Sequence, residues 1–511
     1  MGKLKLRKIL FSRLFIVGMA IVFQLASFLV LLLYLNEYHY IFNSVMHIIS
    51  FVVLISIINR NMITEAKIPW IIITLILPLF GCALYLSFSQ GKMSGKEKKV
   101  YKDIAENTKR YFENEAGKHT EVLSRAGKYE GQCRYIENST SQLSYSNTGT
   151  EFYPTGEAFW QALLAELEKA EKYIFMEYFI VQEGVMWDSV LDILKRKLAA
   201  GVEVRFMYDD LGSVSTVKWN FNKKLNNMGI KCVKFHPFIP VVSERHNNRD
   251  HRKITVIDGR CAFIGGANIA DEYINHVDKV GGYWKDSAIK VTGAAVKSIS
   301  CMFLQNYDIQ RGITEDYTPY LGGDFSLEGD GGIVVPYGDG PKPAYMENVS
   351  ESVLLNMINQ AQRYVWITTP YLIIDGKLTE ALCCAALRGV DVRIVTPHIP
   401  DKKIIFAMTH SYYPRLISHG VKIMEYVPGF VHSKQIVCDD EIAMVGTVNM
   451  DYRSLIHHYE CGVILIGSEC IKDIKADFEN MFAKCMDMRD FRQSPIVSMM
   501  CRICSVFTPM L

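Results

Sequence analysis

Apolar residues crowd the N-terminus and then fall into short, regularly spaced runs. Leu14 to Leu35 is 22 residues without a charge. As a helix it would measure about 33 Å against a hydrocarbon core of about 30 Å, which predicts a transmembrane span. Ile68 to Phe88 is a second uncharged run of 21 residues, interrupted by Pro69, Pro78 and Gly81; it is expected to span with a kink or to dip in and return. Ile41 to Ile58 is a weaker third candidate because it carries Asn43, Ser44, His47 and Ser50. Neither strong run shows the polar face of a surface helix. A polar stretch from Gly91 to Thr150, rich in Lys, Glu, Ser and Asn, reads as a linker.

Beyond it, helix-period and strand-like runs alternate. A helix over Gly156 to Glu171 leads into a strand Tyr173–Val181, a helix near Trp187–Ala200, a strand Val202–Tyr208, and a further helix and strand ending at Phe235. The order then repeats. Tyr364–Leu372 answers the first strand, Arg388-Gly-Val-Asp-Val-Arg393 answers Ala200-Gly-Val-Glu-Val-Arg205, and Gly420–Met424 answers Gly229–Val233. The predicted fold is α/β: two homologous halves, 151–325 and 326–511, following a membrane segment 1–90 and a linker 91–150. Strands alternating with helices of this length predict mostly parallel sheets covered on both faces.

Composition narrows the function. With 49% hydrophobic residues, 56 Lys+Arg against 54 Asp+Glu and a formal charge of +2, the chain is neither disordered nor a basic nucleic-acid binder. Thirteen scattered cysteines without a repeated spacing argue against a disulfide framework and for a reducing compartment. Cys501-Arg-Ile-Cys504 lacks a second ligand pair and reads as ordinary thiols. Five basic residues precede the first apolar run (Lys3, Lys5, Arg7, Lys8, Arg13) and five follow the last (Lys92, Lys96, Lys98, Lys99, Lys102). Both flanks favour the cytoplasm, so the number of crossings is expected to be even and the soluble part cytoplasmic.

The chemistry lies in a duplicated motif. His251-Arg-Lys253-Ile-Thr-Val-Ile-Asp258 precedes Gly265-Gly-Ala-Asn268, and His432-Ser-Lys434-Gln-Ile-Val-Cys-Asp439 precedes Gly446-Thr-Val-Asn449, at identical spacing. A lone His-x-Lys in a strand is ordinarily structural; duplication at fixed spacing reverses that expectation. Residues two apart on a strand share a face, so each His and Lys project together, and a returning strand delivers the Asn. Two imidazoles about one centre suit displacement at phosphorus: one attacks and the other protonates the departing alkoxide, while Lys253, Lys434, Asn268 and Asn449 hold phosphate oxygens.

These residues resemble the phospholipase D superfamily and, within it, the bacterial cardiolipin synthases. Tyr208-Asp-Asp-Leu-Gly212, Asp271-Glu-Tyr273, Gly282-Tyr-Trp-Lys-Asp286, Thr369-Pro-Tyr371, Asp451-Tyr-Arg-Ser454 and the Ile-Leu-Pro-Leu-Phe-Gly run within Asn59 to Phe88 extend the resemblance over nearly the whole chain. It implies an enzyme working through a phosphohistidine, with no cofactor and no metal, that joins two phosphatidylglycerol molecules into cardiolipin and glycerol. His251 would be the nucleophile and His432 the acid and base. Asp286 and Glu460 match the carboxylates that orient the imidazoles in relatives, while Asp258 and Asp439, part of the catalytic motif, would chiefly brace the hairpins. The implied partners are phosphatidylglycerol, other anionic phospholipids and the membrane, with no nucleic acid; hydrolysis to phosphatidic acid is the alternative outcome. His457-His458 stands where relatives usually carry Leu-Asn. Phe238-Ile-Pro-Val-Val242, absent from the second half, is an apolar loop expected to dip into the interface or else to cover the cleft.

Overall fold

The computed structural model describes residues 26, 39–60, 62–89, 95–113, 116–238, 247–322 and 331–510. The Leu14–Leu35 run apart from Ala26, and all but the first residue of the Phe238–Val242 loop, lie outside them. Near the N-terminus α1 (His39–Asn59), α2 (Thr64–Ile76) and α3 (Pro78–Ser89) pack together around Ile57, Trp70 and Tyr85. No single helix covers Ile68–Phe88. The first helix of this run stops at Leu77, whose φ of −128° and ψ of 75° are non-helical and which precedes Pro78. The resulting helices, about 20 Å and 18 Å long, fall short of a bilayer. Among the described residues no helix is long and apolar enough to cross a membrane. Val45, Ile48, Phe51 and Val52 on α1 and Leu75 and Ile76 on α2 are nevertheless exposed.

The polar stretch read as a linker folds as α4 (Gly95–Glu113), α5 (Ala116–Arg125) and α6 (Glu130–Thr140). Phe112 joins the core between the sheets, while Leu123, Cys133 and Ile136 join the outer core of the second half. The sparse apolar positions of this stretch recur at helical spacing, and that spacing was its signal.

The first sheet runs β1 (Thr148–Tyr153), β8 (Ala288–Gly293), β6 (Cys261–Gly265), β5 (Lys253–Ile257), β2 (Tyr173–Tyr178), β3 (Glu203–Asp209), β4 (Lys231–Phe235). The second runs β19 (Cys485–Asp487), β13 (Lys422–Tyr426), β12 (Asp391–Pro397), β10 (Tyr364–Thr368), β15 (Gln435–Cys438), β16 (Ile442–Gly446), β18 (Glu460–Ile466), β9 (Ile333–Asp339). Both sheets are mixed and predominantly antiparallel, which corrects the expectation of mostly parallel sheets. Within these two sheets only β2–β3–β4 and β10–β12–β13 pair in parallel, because helical crossovers join them; β11 (Leu372–Ile373) and β17 (Met450–Asp451) form a separate short parallel pair. The motif strands instead return through tight turns. Asp258 and Gly259 in the first turn, and Asp439 and Asp440 in the second, hold φ between 55° and 63°, and such a turn forces antiparallel neighbours.

The inner faces of the two sheets share one core, in which Phe175, Ile254 and Ala262 meet Val437, Val445 and Val463. Helices cover the outer faces, including α7 (Gly156–Leu167) and α8 (Val185–Ala199) on the first half. At one end the halves also pair directly, through the parallel strands β7 (Tyr283–Lys285) and β14 (Gly429–Val431).

Candidate active site

The two motif histidines lie just ahead of β5 and β15, and each is held by the opposite half. The His251 amide donates to Tyr459 O at 2.9 Å, and the His432 amide donates to Lys285 O at 2.7 Å. The next residue along each accepting segment supplies a carboxylate. His251 Nδ1 lies 2.9 Å and 3.1 Å from the Glu460 oxygens, and His432 Nδ1 lies 2.7 Å from Asp286 Oδ2. The carboxylate downstream of each motif therefore serves the histidine of the other motif. An Nδ1–H held by a carboxylate fixes the tautomer and leaves Nε2 as the nitrogen with a lone pair.

The carboxylates are themselves positioned. Asp286 Oδ1 accepts the Ser287 amide at 2.8 Å, and the Thr447 hydroxyl donates to Glu460 Oε2. Thr447 occupies in the second motif the place of Gly266 in the first. A Cβ at Gly266 would sit 2.1 Å from Asp286 Oδ1, so the short acid requires glycine where the long acid uses threonine.

Lys253 and Lys434 are fully buried beside the histidines. Lys253 Nζ donates to His251 O at 2.5 Å, and Lys434 Nζ lies 2.9 Å from His432 Nδ1. Burial lowers Lys253 to about 8 and Lys434 to about 7, the latter helped down by the Lys253 charge. Burial first, then the two ammonium groups, holds both motif imidazoles well below the usual histidine range. Asp286 is pushed up to about 6 by burial. The two lysines share the chamber with Asp286 and Glu460, whose oxygens are engaged by the imidazoles, and cationic donors placed in this way suit a phosphate. His251, His458 and Glu460 bring three ligand-type atoms within 4.8 Å of one another, but the ammonium groups of Lys253 and Lys434 oppose a divalent cation there.

Aromatic rings wall the site. Phe179 packs edge-on to His251 at 5.0 Å, and Trp284 and Tyr273 each lie 5.4 Å from His432. Their role was not legible beforehand; only their place within the quoted segments marked Tyr273 and Trp284. Asn268 is engaged structurally, with Oδ1 accepting the Ile180 amide at 2.9 Å and Nδ2 donating to Tyr273 at 2.7 Å. Asn449 keeps a buried Oδ1 without a partner. The motif aspartates do not enter the chamber. Asp258 accepts the amides of Glu171, Lys172 and Tyr173 at 2.7–2.8 Å, and Asp439 those of Gln362, Arg363 and Tyr364 at 2.7–2.9 Å. Each ties its hairpin to the start of the neighbouring strand, about 16 Å along β5 from Lys253 in the first half.

Known proteins share this architecture. A family model described as cardiolipin synthase, PLD-like domain, matches residues 163–293 and 354–482, and one described as phospholipase D-nuclease N-terminal matches 48–90. An uncharacterized protein of Streptococcus mutans is 42% identical over 83% of this chain and 91% of its own length. A cardiolipin synthase of Alkalihalophilus pseudofirmus is 35% identical over 83% of this chain and 84% of its own. Among solved structures, a phosphatidylserine synthase of Haemophilus influenzae superposes with a TM-score of 0.57 at 15% identity, covering 76% of this chain and all of that one, a likeness of fold. The chain belongs to the cardiolipin synthase family and is an enzyme of the phospholipase D superfamily.

Proposed function

We propose that the chain is a membrane phosphatidyltransferase that converts two phosphatidylglycerol molecules into cardiolipin and glycerol through a phosphatidyl-histidine. The observation that carries this reading is the pair of buried imidazoles, each held through Nδ1 by a carboxylate of the opposite half with a buried lysine alongside. Kinship with cardiolipin synthases supplies the substrate class.

In the first step Nε2 of His251 attacks the phosphodiester phosphorus, the bond from phosphorus to the glycerol oxygen breaks, and Nε2–H of His432 delivers a proton to that oxygen. In the second, Nε2 of His432 takes the proton of a terminal hydroxyl on another phosphatidylglycerol. The freed oxygen attacks phosphorus, and the bond from phosphorus to His251 breaks. Lys253 and Lys434 meet the phosphate oxygens, whereas the unpartnered atom of Asn449 is its Oδ1, an acceptor that can take a hydroxyl proton but not a phosphate oxygen. Burial and the two lysines favour the neutral form of both imidazoles, as the nucleophile requires. A bound phosphate compensates the two ammonium charges that held His432 down, and so lets it carry the proton it donates.

A diacyl lipid leaves a bilayer at a cost of about 0.8 kcal/mol per CH₂, so the enzyme works at the membrane. The exposed apolar residues of α1 and α2 support bilayer contact, as do Ile496, Met499, Met500 and Ile503 on the C-terminal helix Pro495–Phe507. Lys96, Lys98, Lys99 and Lys102 on α4 supply attraction for anionic head groups, and the positive flanks favour the cytoplasmic face.

The test is incubation of the purified protein with phosphatidylglycerol as sole lipid, in mixed micelles with EDTA, with products read by mass spectrometry. Cardiolipin and free glycerol, both absent for His251→Ala, are expected. Phosphatidic acid alone would make the protein a hydrolase. Acid-quenched phosphopeptide mapping should place the label on His251, and label on His432 would reverse the two roles.

A further inference from the structure

One buried imidazole of the chamber has no part in the steps above. His458 follows a single π-helical turn, Arg453–His457, and its amide donates to Arg453 O at 2.8 Å. Turns of this kind widen a helix locally and recur at functional sites. The ring is buried, with its centroid 5.5 Å from that of His251 and 6.4 Å from that of Phe179. Neither ring nitrogen has a hydrogen-bond partner; Nδ1 stops 3.7 Å from Glu460 Oε1. A neutral imidazole carries one donor and one acceptor, and buried polar atoms are normally satisfied. Burial holds this ring down to about 3, so at working pH it offers no charge to a phosphate. What it can serve is an uncharged group that both donates and accepts, which is a hydroxyl.

We propose that His458 is the acceptor-alcohol subsite, where its imidazole holds one hydroxyl of a polyol head group so that the neighbouring hydroxyl faces the phosphorus carried by His251. This rests on the transferase reading and specifies where its second substrate sits. His458 is thereby a specificity-determining residue for the second half-reaction. A lipid or soluble alcohol with two adjacent hydroxyls satisfies it, and a mono-alcohol fills the same space with only one.

The experiment separates the half-reactions. Full-length protein in mixed micelles with phosphatidylglycerol is followed for glycerol release, and for the ratio of transfer products to phosphatidic acid, with propane-1,2-diol or propan-1-ol added as soluble acceptors. For His458→Phe, the initial burst of glycerol serves to count the phosphatidyl-enzyme formed, because the departing glycerol leaves along the path by which the acceptor enters, and the partition of that intermediate is normalised to it. The ratio of transfer to hydrolysis should fall at least tenfold, and the preference for the diol should disappear. His458→Gln, which keeps a donor and an acceptor, should restore most of the preference. An unchanged ratio and unchanged diol preference in a His458→Phe protein that still releases glycerol overturns the assignment. Should that variant fail to fold, loss of diol preference in a burst-competent His458→Gln does so instead. No glycerol release by the wild type would sink the transferase reading itself, a result distinct from either.

Discussion

Exchanging the two buried carboxylates for amides tests both the crossed pairing and the division of labour between the histidines. In Glu460→Gln the Thr447 hydroxyl, which now donates to Oε2, retains the amide oxygen. That turns the NH₂ toward His251 Nδ1, which must then accept, so the ring proton moves to Nε2 and the attacking lone pair is gone. Asp286→Asn behaves alike, because the Ser287 amide holds Oδ1 and presents the NH₂ to His432. The lost charge-assisted bond alone is worth about 1.5–3 kcal/mol, roughly 10–150-fold in rate. With the wrong tautomer added, each variant should lose roughly 10³-fold or more. A phosphatidyl ester of p-nitrophenol separates them, since an aryl leaving group departs without a proton. Release of p-nitrophenol should recover at least tenfold relative to glycerol release in Asp286→Asn and stay depressed in Glu460→Gln. The opposite pattern would mean that each acid serves the histidine of its own half, or that His432 is the nucleophile. Equal recovery would refute the division of roles altogether.

Gly266→Ala should mimic Asp286→Asn, because the new Cβ lands 2.1 Å from Asp286 Oδ1; a loss of at least tenfold in turnover is expected with little change in Tm, and wild-type turnover would show that Asp286 tolerates displacement. Asp258→Ala removes the acceptor of three backbone amides, two of them exposed to water, at about 0.5–1.5 kcal/mol each, so Tm should fall by a few degrees while turnover per folded molecule stays within a few-fold. Lys434 is lowered from 10.5 to about 7, so between those pH values the unfolded chain binds the proton that the folded chain lacks. Its contribution makes stability rise with pH in that window and fall toward pH 7. Lys434→Met should therefore be inactive, yet its Tm relative to wild type should increase as pH falls from 10 to 7; a pH-independent difference would mean that the lysine stays charged in the folded protein.

The duplication made two halves legible because strand wording and motif spacing both repeat. Sheet direction was lost for a local reason. Periodicity marks strands but not the sense of their pairing, which here is set by three-residue turns whose Asp258, Asp439 and Asp440 take left-handed backbone conformations. The chamber was partly legible: His251, Lys253, His432, Lys434, Asp286 and Glu460 meet as a group. Which acid meets which histidine was not, since nothing in the spacing of one half reports its rotation against the other. The aspartates of the motif share its regularity for a structural reason, the capping of three amides each. The helices at 95–140 were hidden by a composition dominated by surface residues, and the break at Leu77 was signalled by Pro78.

The crossed clamps also explain why two similar halves need not act alike. Each histidine is anchored twice to the partner half, by its backbone amide and through Nδ1, so neither half can assemble a working imidazole alone. Symmetry at that level would give two equivalent nucleophiles. The surroundings break it. His251 has the longer acid, supported by the Thr447 hydroxyl, with Phe179 and His458 beside the ring. His432 has the shorter acid, admitted by Gly266, with Trp284, Tyr273 and a close Lys434. A histidine with an ammonium 2.9 Å from its ring gives up a proton readily and regains one when phosphate draws that ammonium away, which suits the acid and base. The ring hydrogen-bonded to both oxygens of its acid, beside a lysine that donates to the backbone carbonyl, suits the nucleophile.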